Sequence, residues 1–237
     1  MKDQNIVVIG GTSGIGLALC RMLTESGARV FVGSRTAMEA EKLPGAEYFP
    51  WDAGQGDMPL DTLPETVQGL VYCPGTIRLR PISRLTDNDF LEDFNINVMG
   101  AVRAVRSLLT RMKKSSSGGS VVLFSTVAVQ TGMPFHASVA SAKGAIEGLT
   151  RALSAELAPR IRVNAIAPSL TDTPLAAQLL SSEDKRKAAE ERHPMKQVGS
   201  AEQMAHTAAY LLDERSGWIT GQILHVDGGM SAVRTFR

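Results

Sequence analysis

The sequence predicts an α/β protein built on a doubly wound parallel sheet. Three observations lead to this prediction: short β-branched runs alternate with longer amphipathic runs, the short runs are apolar throughout, and a glycine cluster follows the first of them. Strands that are apolar on both faces are typical of a parallel sheet covered by helices on both sides. Right-handed crossovers between such strands give the doubly wound arrangement.

The predicted elements follow one another in the alternating order that such a sheet requires. Strands are predicted over Asn5–Ile9, Ala28–Val32, Glu47–Pro50, Gly69–Cys73, Ser120–Phe124, Ile161–Ile166 and Gln222–Val226. Helices are predicted over Gly14–Ser26, Asp87–Lys113 and Pro134–Leu157. The second of these begins with acidic residues and ends with basic ones, which suits the helix dipole.

Length and composition indicate a single domain, residues 1–237, with a sizeable core. The chain has 237 residues, of which 43% are hydrophobic, and a formal charge of +1. That hydrophobic content excludes wholesale disorder, and the near-zero charge argues against a nucleic-acid partner. Cys20 and Cys73 lack metal-ligand spacing and exclude a disulfide framework, so no metal is expected.

The chain shows no sign of a membrane partner. No apolar run approaches the roughly 18–20 residues of a membrane span. Residues 1–5 lead straight into the first strand, whereas a signal peptide would carry a longer apolar stretch. We therefore expect a soluble, reduced, cytoplasmic protein.

One segment, Thr171–Ser200, interrupts the last crossover. It is charged and contains a helix-like run. An ordinary surface excursion would look similar. Binding residues in such folds often lie on loops beyond the strand ends, however, so we favour a substrate lid at about residues 171–200.

A glycine-rich turn joins the first strand to the first helix and reads Gly10-Gly11-Thr12-Ser13-Gly14-Ile15-Gly16. Gly10 permits the tight turn, Gly14 lets a pyrophosphate approach the backbone, and Gly16 lets the helix pack close to the sheet. Thr12, Ser13 and Ile15 lie between them, beside the N–H groups of the helix start, which attract phosphate. A flexible turn is the alternative, but the position between strand and helix predicts a dinucleotide site.

The end of the second strand indicates which dinucleotide binds. An acid there would bind a free ribose 2′-hydroxyl, but the chain has Ser34-Arg35-Thr36. The Arg35 guanidinium can face a 2′-phosphate with a fork of charged donors, although a solvated arginine is the alternative. Ser34 and Arg35 therefore predict NADP(H) rather than NAD(H).

Together these motifs resemble the short-chain dehydrogenase/reductase family over nearly the whole chain. Besides the glycine turn, the resemblance rests on Asp52, on Asn97-Val98-Met99-Gly100, on Arg162–Pro168 and on Ile219–Gly229. It implies a Rossmann fold that binds a nicotinamide cofactor.

The resemblance also implies further cofactor contacts. Asp52 would touch the adenine, and Thr173 would hold the nicotinamide carboxamide, at the end of a binding stretch that includes Pro168 and Thr171. Cys73-Pro74-Gly75 stands where the family usually has Asn-Ala-Gly. Cys73 and Gly75 would then keep a backbone role while the asparagine's contacts are lost.

Catalysis in the family uses an asparagine, a serine, a tyrosine and a lysine, the last two being four residues apart on one helix. That spacing places both on one face, so the ammonium lowers the tyrosine pKa. Asn97 and Lys143 match, and Thr126 takes the serine position with Ser125 beside it. Val139 stands four residues before Lys143, so the proton-donating tyrosine is missing.

His136 is a candidate for the missing proton donor. It lies seven residues before Lys143, two helical turns along the same face, and a histidine can donate near neutral pH. The enoyl-reductase branch of the family places its tyrosine at this spacing. The alternative is a histidine at a helix start, bonded to backbone or water.

These features predict an NADP(H)-dependent oxidoreductase that transfers hydride to a small-molecule substrate bearing a C=O or a conjugated C=C bond. A catalytically degenerate NADP-binding sensor or assembly subunit is an alternative, as is a structural partner in a hetero-oligomer. Such folds commonly pair through their long helices, so a homodimer or homotetramer is expected. Ala101–Leu109 and Ala145–Leu157 would suit that contact, or ordinary core packing.

Overall fold

A computed structural model describes residues 1–36 and 43–235. Its strands are β1 (Asn5–Ile9), β2 (Arg29–Ser34), β3 (Ala46–Pro50), β4 (Gly69–Tyr72), β5 (Gly119–Phe124), β6 (Ile161–Pro168), β7 (Thr171–Asp172), β8 (Gly199–Ser200) and β9 (Ile223–Val226). Seven of them form one parallel sheet in the order β3-β2-β1-β4-β5-β6-β9, and β7 pairs with β8. The predicted doubly wound α/β fold is confirmed.

Helices cover both faces of this sheet. The α-helices of the described residues are α1 (Gly14–Glu25), α2 (Asp87–Phe94), α3 (Gly100–Lys114), α4 (Val127–Thr131), α5 (Ala137–Leu157), α6 (Glu183–Arg192) and α7 (Ala201–Leu212). Side chains of α3 and α5 form one hydrophobic core with one face of the sheet. Side chains of α1 and α7 form a second core on the other face, so the central strands are buried on both sides.

The predicted helix Asp87–Lys113 is interrupted. After α2 the chain makes a π-helical turn, Asn95–Met99, before α3 begins. Such bulges inside helices occur frequently at functional sites. Here the turn carries Asn97, the residue that the family resemblance marks as catalytic.

The helix predicted from Pro134 begins later, at Ala137. Phe135 has a φ of +69°, in the left-handed region that ends or precedes a helix rather than continuing it. The short helix α4 and the helix α7 were not predicted. Among the described residues, no helix has both the length and the apolar character needed to cross a membrane.

The predicted lid segment has an ordered base. Thr171 pairs with Gly199 and Asp172 with Ser200, so β7 and β8 join its two ends. Between them lie a 3-10 turn, Pro174–Leu180, and α6, which is the predicted helix-like run. The segment is therefore one folded excursion, and whether it acts as a lid stays a prediction.

Candidate active site

The strand order reverses at β1: the chain adds β2 and β3 on one side of β1 and then crosses over to add β4 on the other side. In open parallel sheets such a switch point opens a crevice at the carboxyl ends of the strands, where ligands bind. The glycine turn leaves β1 here and Cys73–Gly75 leaves β4. A Cβ on Gly10 would lie 3.2 Å from Pro74 Cδ, so the two loops touch.

The glycine turn has the shape that a pyrophosphate requires. A Cβ on Gly16 would lie 2.3 Å from the carbonyl oxygen of Gly10, so α1 can approach the turn only with glycine there. Gly10 and Gly14 have φ of +77° and +50°. Within the described residues, the Ser13 side chain does not cap α1. The N–H groups at this helix start thus remain available to an anion.

The end of β2 is tied to the glycine turn. Ser34 Oγ donates to the carbonyl of Thr36 at 2.7 Å and lies 3.1 Å from Thr12 Oγ1. The hydroxyl hydrogen of Ser34 is thereby used, and Thr12 donates to Ser34. Arg35 comes directly after β2 and is exposed, so the structure brings Thr12, Ser34 and Arg35 to the same end of the crevice.

Residues from three other elements reach this edge. Asp52 follows β3, and its Oδ1 accepts from the backbone N–H of Gly54 at 2.9 Å. Pro168 ends β6, and Thr171 is buried, with its hydroxyl donating to the carbonyl of Ser169 at 3.0 Å. A Cβ on Gly14 would lie 3.4 Å from Thr173, so the first residue of the excursion beyond β7 faces the glycine turn.

Three of the predicted site residues converge at one point. A Cβ placed on Gly75 would lie 3.3 Å from Asn97 Oδ1 and 3.4 Å from Lys143 Nζ. These residues come from the loop after β4, the π-helical turn and α5. With glycine at this position, the amide oxygen and the ammonium both border the backbone of the loop after β4 with no side chain between them.

Asn97 is fully buried, and its Nδ2 donates to the carbonyl of Asp93 at 2.7 Å and to Thr76 Oγ1 at 2.9 Å. Its Oδ1 has no hydrogen-bond partner among the described residues. A buried amide oxygen left in this state normally finds a donor. A ligand in the crevice can supply one.

Lys143 is 7% exposed, and its Nζ donates to the carbonyl of Phe124 at 2.8 Å. Burial lowers the pKa of Lys143 to about 8, and the neighbouring Cys73 and Asp93 oppose this fall. Burial also raises the pKa of the Cys73 thiol to about 12.

The neighbouring hydroxyls of Ser125 and Thr126 differ in burial and in hydrogen bonding. Ser125 is buried, and its hydroxyl donates to Glu147 Oε1 at 2.8 Å. Thr126 is half-buried at the start of α4, where its Oγ1 accepts from the N–H of Ala128 at 3.3 Å. Its own hydroxyl hydrogen is not used by that bond. Thr126 is thus the better placed of the two to donate to a ligand.

His136 stands at the N-terminal end of α5, with Nδ1 2.8 Å from the carbonyl oxygen of Pro134. This is the backbone-bonded helix-start histidine that the sequence left as an alternative. Seven residues of helix separate His136 from Lys143 by roughly 10 Å along the axis. Val139 is buried on the intervening turn.

Sequence reasoning missed two buried titratable residues. Asp93 is fully buried on α2, and neither carboxylate oxygen has a hydrogen-bond partner within the described residues. Its position in a run of acidic residues gave no sign of burial. His193 is also buried, with Nδ1 2.7 Å from the carbonyl of Ala189 and Nε2 2.8 Å from Ser169 Oγ, and no sequence signal marked it.

In the described part of the chain, no three His, Cys, Asp or Glu side chains come close enough together to hold a metal ion. The arrangement instead suits an anionic dinucleotide. It offers uncapped N–H groups at the start of α1, glycines where a pyrophosphate would approach the backbone, and a lysine and an amide oxygen beside the crevice.

Comparison with known proteins identifies the family. A family model described as enoyl-(acyl carrier protein) reductase matches residues 10–231. The chain is 33% identical to tropinone reductase homolog At2g29290 of Arabidopsis thaliana, over 98% of this chain and 94% of that protein. The chain belongs to the short-chain dehydrogenase/reductase family.

A second relative and a solved structure are also similar to this chain. The L-xylulose reductase of Bos taurus is 30% identical, with 98% of each chain covered. The structure of a gluconate 5-dehydrogenase from Burkholderia cenocepacia, in complex with NADP and tartrate, superimposes with a TM-score of 0.90. It is 23% identical and covers 99% of this chain and 97% of that one, which shows the shared fold.

Proposed function

We propose that the protein is an NADPH-dependent reductase that delivers hydride to a small molecule bearing a carbonyl or a conjugated C=C bond. The observation that carries this proposal is the convergence of Asn97 Oδ1 and Lys143 Nζ beside Gly75. That point lies at the same sheet edge as the glycine turn. A protein that only bound a nucleotide would not need an amide oxygen there.

The residues of this edge suit the parts of NADPH. We propose that the glycine turn holds the pyrophosphate, Arg35 the 2′-phosphate, Asp52 the adenine, Lys143 the ribose and Thr173 the carboxamide. The other proposed contacts, on the loops and helix start of the same edge, are Thr12, Ser13, Ile15, Ser34, Cys73, Gly75, Pro168 and Thr171. When bound, the coenzyme would supply the hydride. The protein would bind the coenzyme, orient the substrate and supply the proton.

The choice of NADPH rests on Arg35 and is tested there. Arg35→Ala should weaken NADPH binding roughly 10- to 100-fold, since it removes charge-assisted hydrogen bonds worth about 1.5–3 kcal/mol, and should leave NADH binding unchanged. Fluorescence titration with both coenzymes measures this. Arg21→Ala, an exposed arginine on the outer face of α1, is the matched control. Equal affinities of the unaltered protein for NADPH and NADH would contradict the assignment.

We propose that Val139 takes the place of the family's tyrosine, so the proton comes from another group. A hydride delivered to a conjugated C=C bond generates an enolate, which the Thr126 hydroxyl can stabilise by donation. His136 and solvent are the proton sources that the sequence suggests. A C=C substrate is attractive because its enolate demands less of the acid than an alkoxide does.

Turnover is tested by NADPH consumption against enones, enoyl thioesters, quinones and simple carbonyl compounds. We expect oxidation of NADPH with one or more conjugated substrates. His136→Ala should lower the rate and alter its pH profile if the histidine donates the proton. An unchanged rate and profile would end that role for His136.

The alternative function is an NADP-binding sensor or assembly subunit, which the loss of the tyrosine favours. It would bind NADPH tightly and turn over no member of the panel. Val139→Tyr, which places a phenol one turn before Lys143, would then restore generic carbonyl reduction. Turnover of any compound of the panel by the unaltered protein would decide against this alternative.

We also propose that the chain forms a homodimer or homotetramer. The apolar face of α3, including Ala101, Ala104 and Leu108, is buried in the core of the chain itself, so that stretch serves core packing. On α2, Leu91 and Phe94 are instead 66% and 42% exposed. Leu91→Glu should shift sedimentation towards the monomer, and a monomeric unaltered protein would exclude the assembly.

A further inference from the structure

Resting on the proposed reductase function, we propose that His193 is a positioning residue for the coenzyme. Its side chain fixes Ser169 and, through Ser169, the segment of residues 169–173, which carries two of the proposed coenzyme contacts. The buried hydrogen bond between His193 and Ser169 thereby sets how tightly NADPH is held. His193 itself touches neither coenzyme nor substrate and acts only through that segment.

The His193 side chain accepts a hydrogen bond from Ser169. His193 is 2% exposed, and its Nδ1 lies 2.7 Å from the carbonyl oxygen of Ala189. A carbonyl oxygen only accepts, so in the neutral ring Nδ1 carries the hydrogen and Nε2 is the acceptor. Ser169 Oγ lies 2.8 Å from Nε2 and donates to it rather than to the weaker thioether acceptor of Met230 at 3.4 Å.

His193 stands on a fixed support. It follows α6 directly, and its backbone N–H donates to the carbonyl of Glu190 at 3.1 Å. Two residues later, the N–H of Met195 donates to the carbonyl of Gly228 at 3.2 Å. A Cβ on Gly228 would lie 3.5 Å from His193 Cδ2. The ring therefore lies between the end of α6 and the loop after β9, where it can hold Ser169 in place.

The hydrogen bond to His193 reaches the proposed coenzyme contacts through the segment of residues 169–173. Thr171 Oγ1 donates to the carbonyl of Ser169 at 3.0 Å, and Thr173 Oγ1 donates to the carbonyl of Thr171 at 3.4 Å. Thr173 lies beside the glycine turn. A shift of Ser169 would therefore move both threonines that the proposed NADPH site includes.

A cavity borders this segment at Ser169, so packing alone does not fix it there. The cavity has a volume of about 180 Å³, and its lining includes Leu170, His193, Gly199 and Val226. Close packing would otherwise restrict the segment. Its position beside the cavity thus depends on hydrogen bonds, which are the backbone bond from Gly199 to Leu170 at 3.0 Å and the side-chain bond to His193.

A second side-chain link between α6 and the segment is more exposed. Arg186 on α6 pairs with Asp172 at 2.6 Å, but the two side chains are 36% and 51% exposed. Exposed ion pairs contribute little because solvent and salt screen them. Breaking a buried hydrogen bond instead leaves its partner unsatisfied. Loss of the His193 side chain should therefore weaken NADPH binding more than loss of the Arg186 side chain.

The first test removes the acceptor of the buried hydrogen bond. His193→Phe keeps a ring in the site and should raise the Kd of NADPH roughly 3- to 10-fold, the usual effect of losing such a bond. His206→Phe is the matched control, because His206 on α7 makes the same kind of bond to the carbonyl of Glu202, at 2.8 Å, but is exposed. The control should stay within about twofold of the unaltered protein.

Steady-state kinetics and a double variant distinguish lost positioning from lost folding. The KM for NADPH should rise in His193→Phe while kcat does not fall, whereas a fraction of unfolded protein would lower kcat and leave KM unchanged. Ser169→Ala should match His193→Phe, and the double variant should bind no more weakly than either single variant, because all three lack the same bond. Additive losses, or an unchanged Kd in His193→Phe, would overturn the proposal.

The second test needs no coenzyme. Hydrogen exchange of the Gly199 amide, which donates to Leu170, reports whether the segment stays docked. His193→Phe should speed this exchange roughly 3- to 10-fold and leave the amides of β1 unchanged, and His206→Phe should change neither. Unchanged exchange in His193→Phe would overturn the proposal even if NADPH binds. Absence of NADPH binding by the unaltered protein, with exchange that still depends on His193, would instead refute the reductase function and with it the coenzyme role of His193.

Discussion

Gly16 shows how a single residue fixes the nucleotide end of the site. A side-chain carbon there would lie 2.3 Å from the Gly10 carbonyl oxygen, so Gly16→Ala must push α1 away from the turn. We expect a loss of about 1–3 kcal/mol in the free energy of unfolding together with weaker NADPH binding, measured by denaturant titration and fluorescence. Gly148→Ala is the control, because a Cβ there meets nothing within 4 Å, and it should stabilise α5.

Cys73 gives a second prediction for a single residue. Burial raises the pKa of both thiols, that of Cys73 to about 12, and only the thiolate is nucleophilic. Iodoacetamide should therefore label neither cysteine appreciably near neutral pH in the folded protein, and both in guanidinium, as read by mass spectrometry. Rapid labelling of folded Cys73 would show that the crevice stabilises its thiolate.

Motif spacing gave many of the candidate site residues but not the environment of each. Asn97, Gly75 and Lys143 could be placed together because each belongs to a motif of a recognisable family. The burial of Asp93 could not, since it depends on how α2 packs against α5. Likewise, only tertiary contacts show that Ser125 is engaged with Glu147 while Thr126 is not.

Among the elements, α2 owes its start to a capping box. Thr86 accepts from the N–H of Asp89, whose carboxylate accepts in turn from the N–H of Thr86. Thr86→Ala should cost about 1 kcal/mol of unfolding free energy. Ser182→Ala removes the corresponding cap of α6, which lies outside the main sheet, and should change global stability by less than about 0.5 kcal/mol. Equal losses would mean that α6 unfolds with the core.

The element boundaries that sequence missed are those set by single backbone conformations. A helical pattern runs unbroken from Asp87 to Lys113, and nothing in it marks the π-helical turn at Asn95–Met99. The start of α5 was placed too early because Phe135 adopts a positive φ that its residue type does not favour. Strand periodicity, by contrast, placed the strands of the main sheet to within a residue or two.

At the scale of the whole molecule, coenzyme binding and folding are linked. A ligand that binds only the folded state adds about 2.7 kcal/mol of stability when present at 100 times its Kd. The melting temperature of the protein should therefore rise with NADPH concentration, and much less with NADH at the same concentration. A melting temperature that neither coenzyme changes would count against the crevice as their binding site.

The paired strands β7 and β8 determine how the excursion between them can swing. Because its two ends are hydrogen-bonded to each other, a lid built on this excursion would pivot as one unit about the two-stranded pair. Thr173 lies beside the glycine turn, so on the lid prediction this unit would have to move before the oxidised coenzyme could leave. Departure of the oxidised coenzyme, rather than chemistry, should then limit steady turnover, visible as a pre-steady-state burst in stopped-flow absorbance.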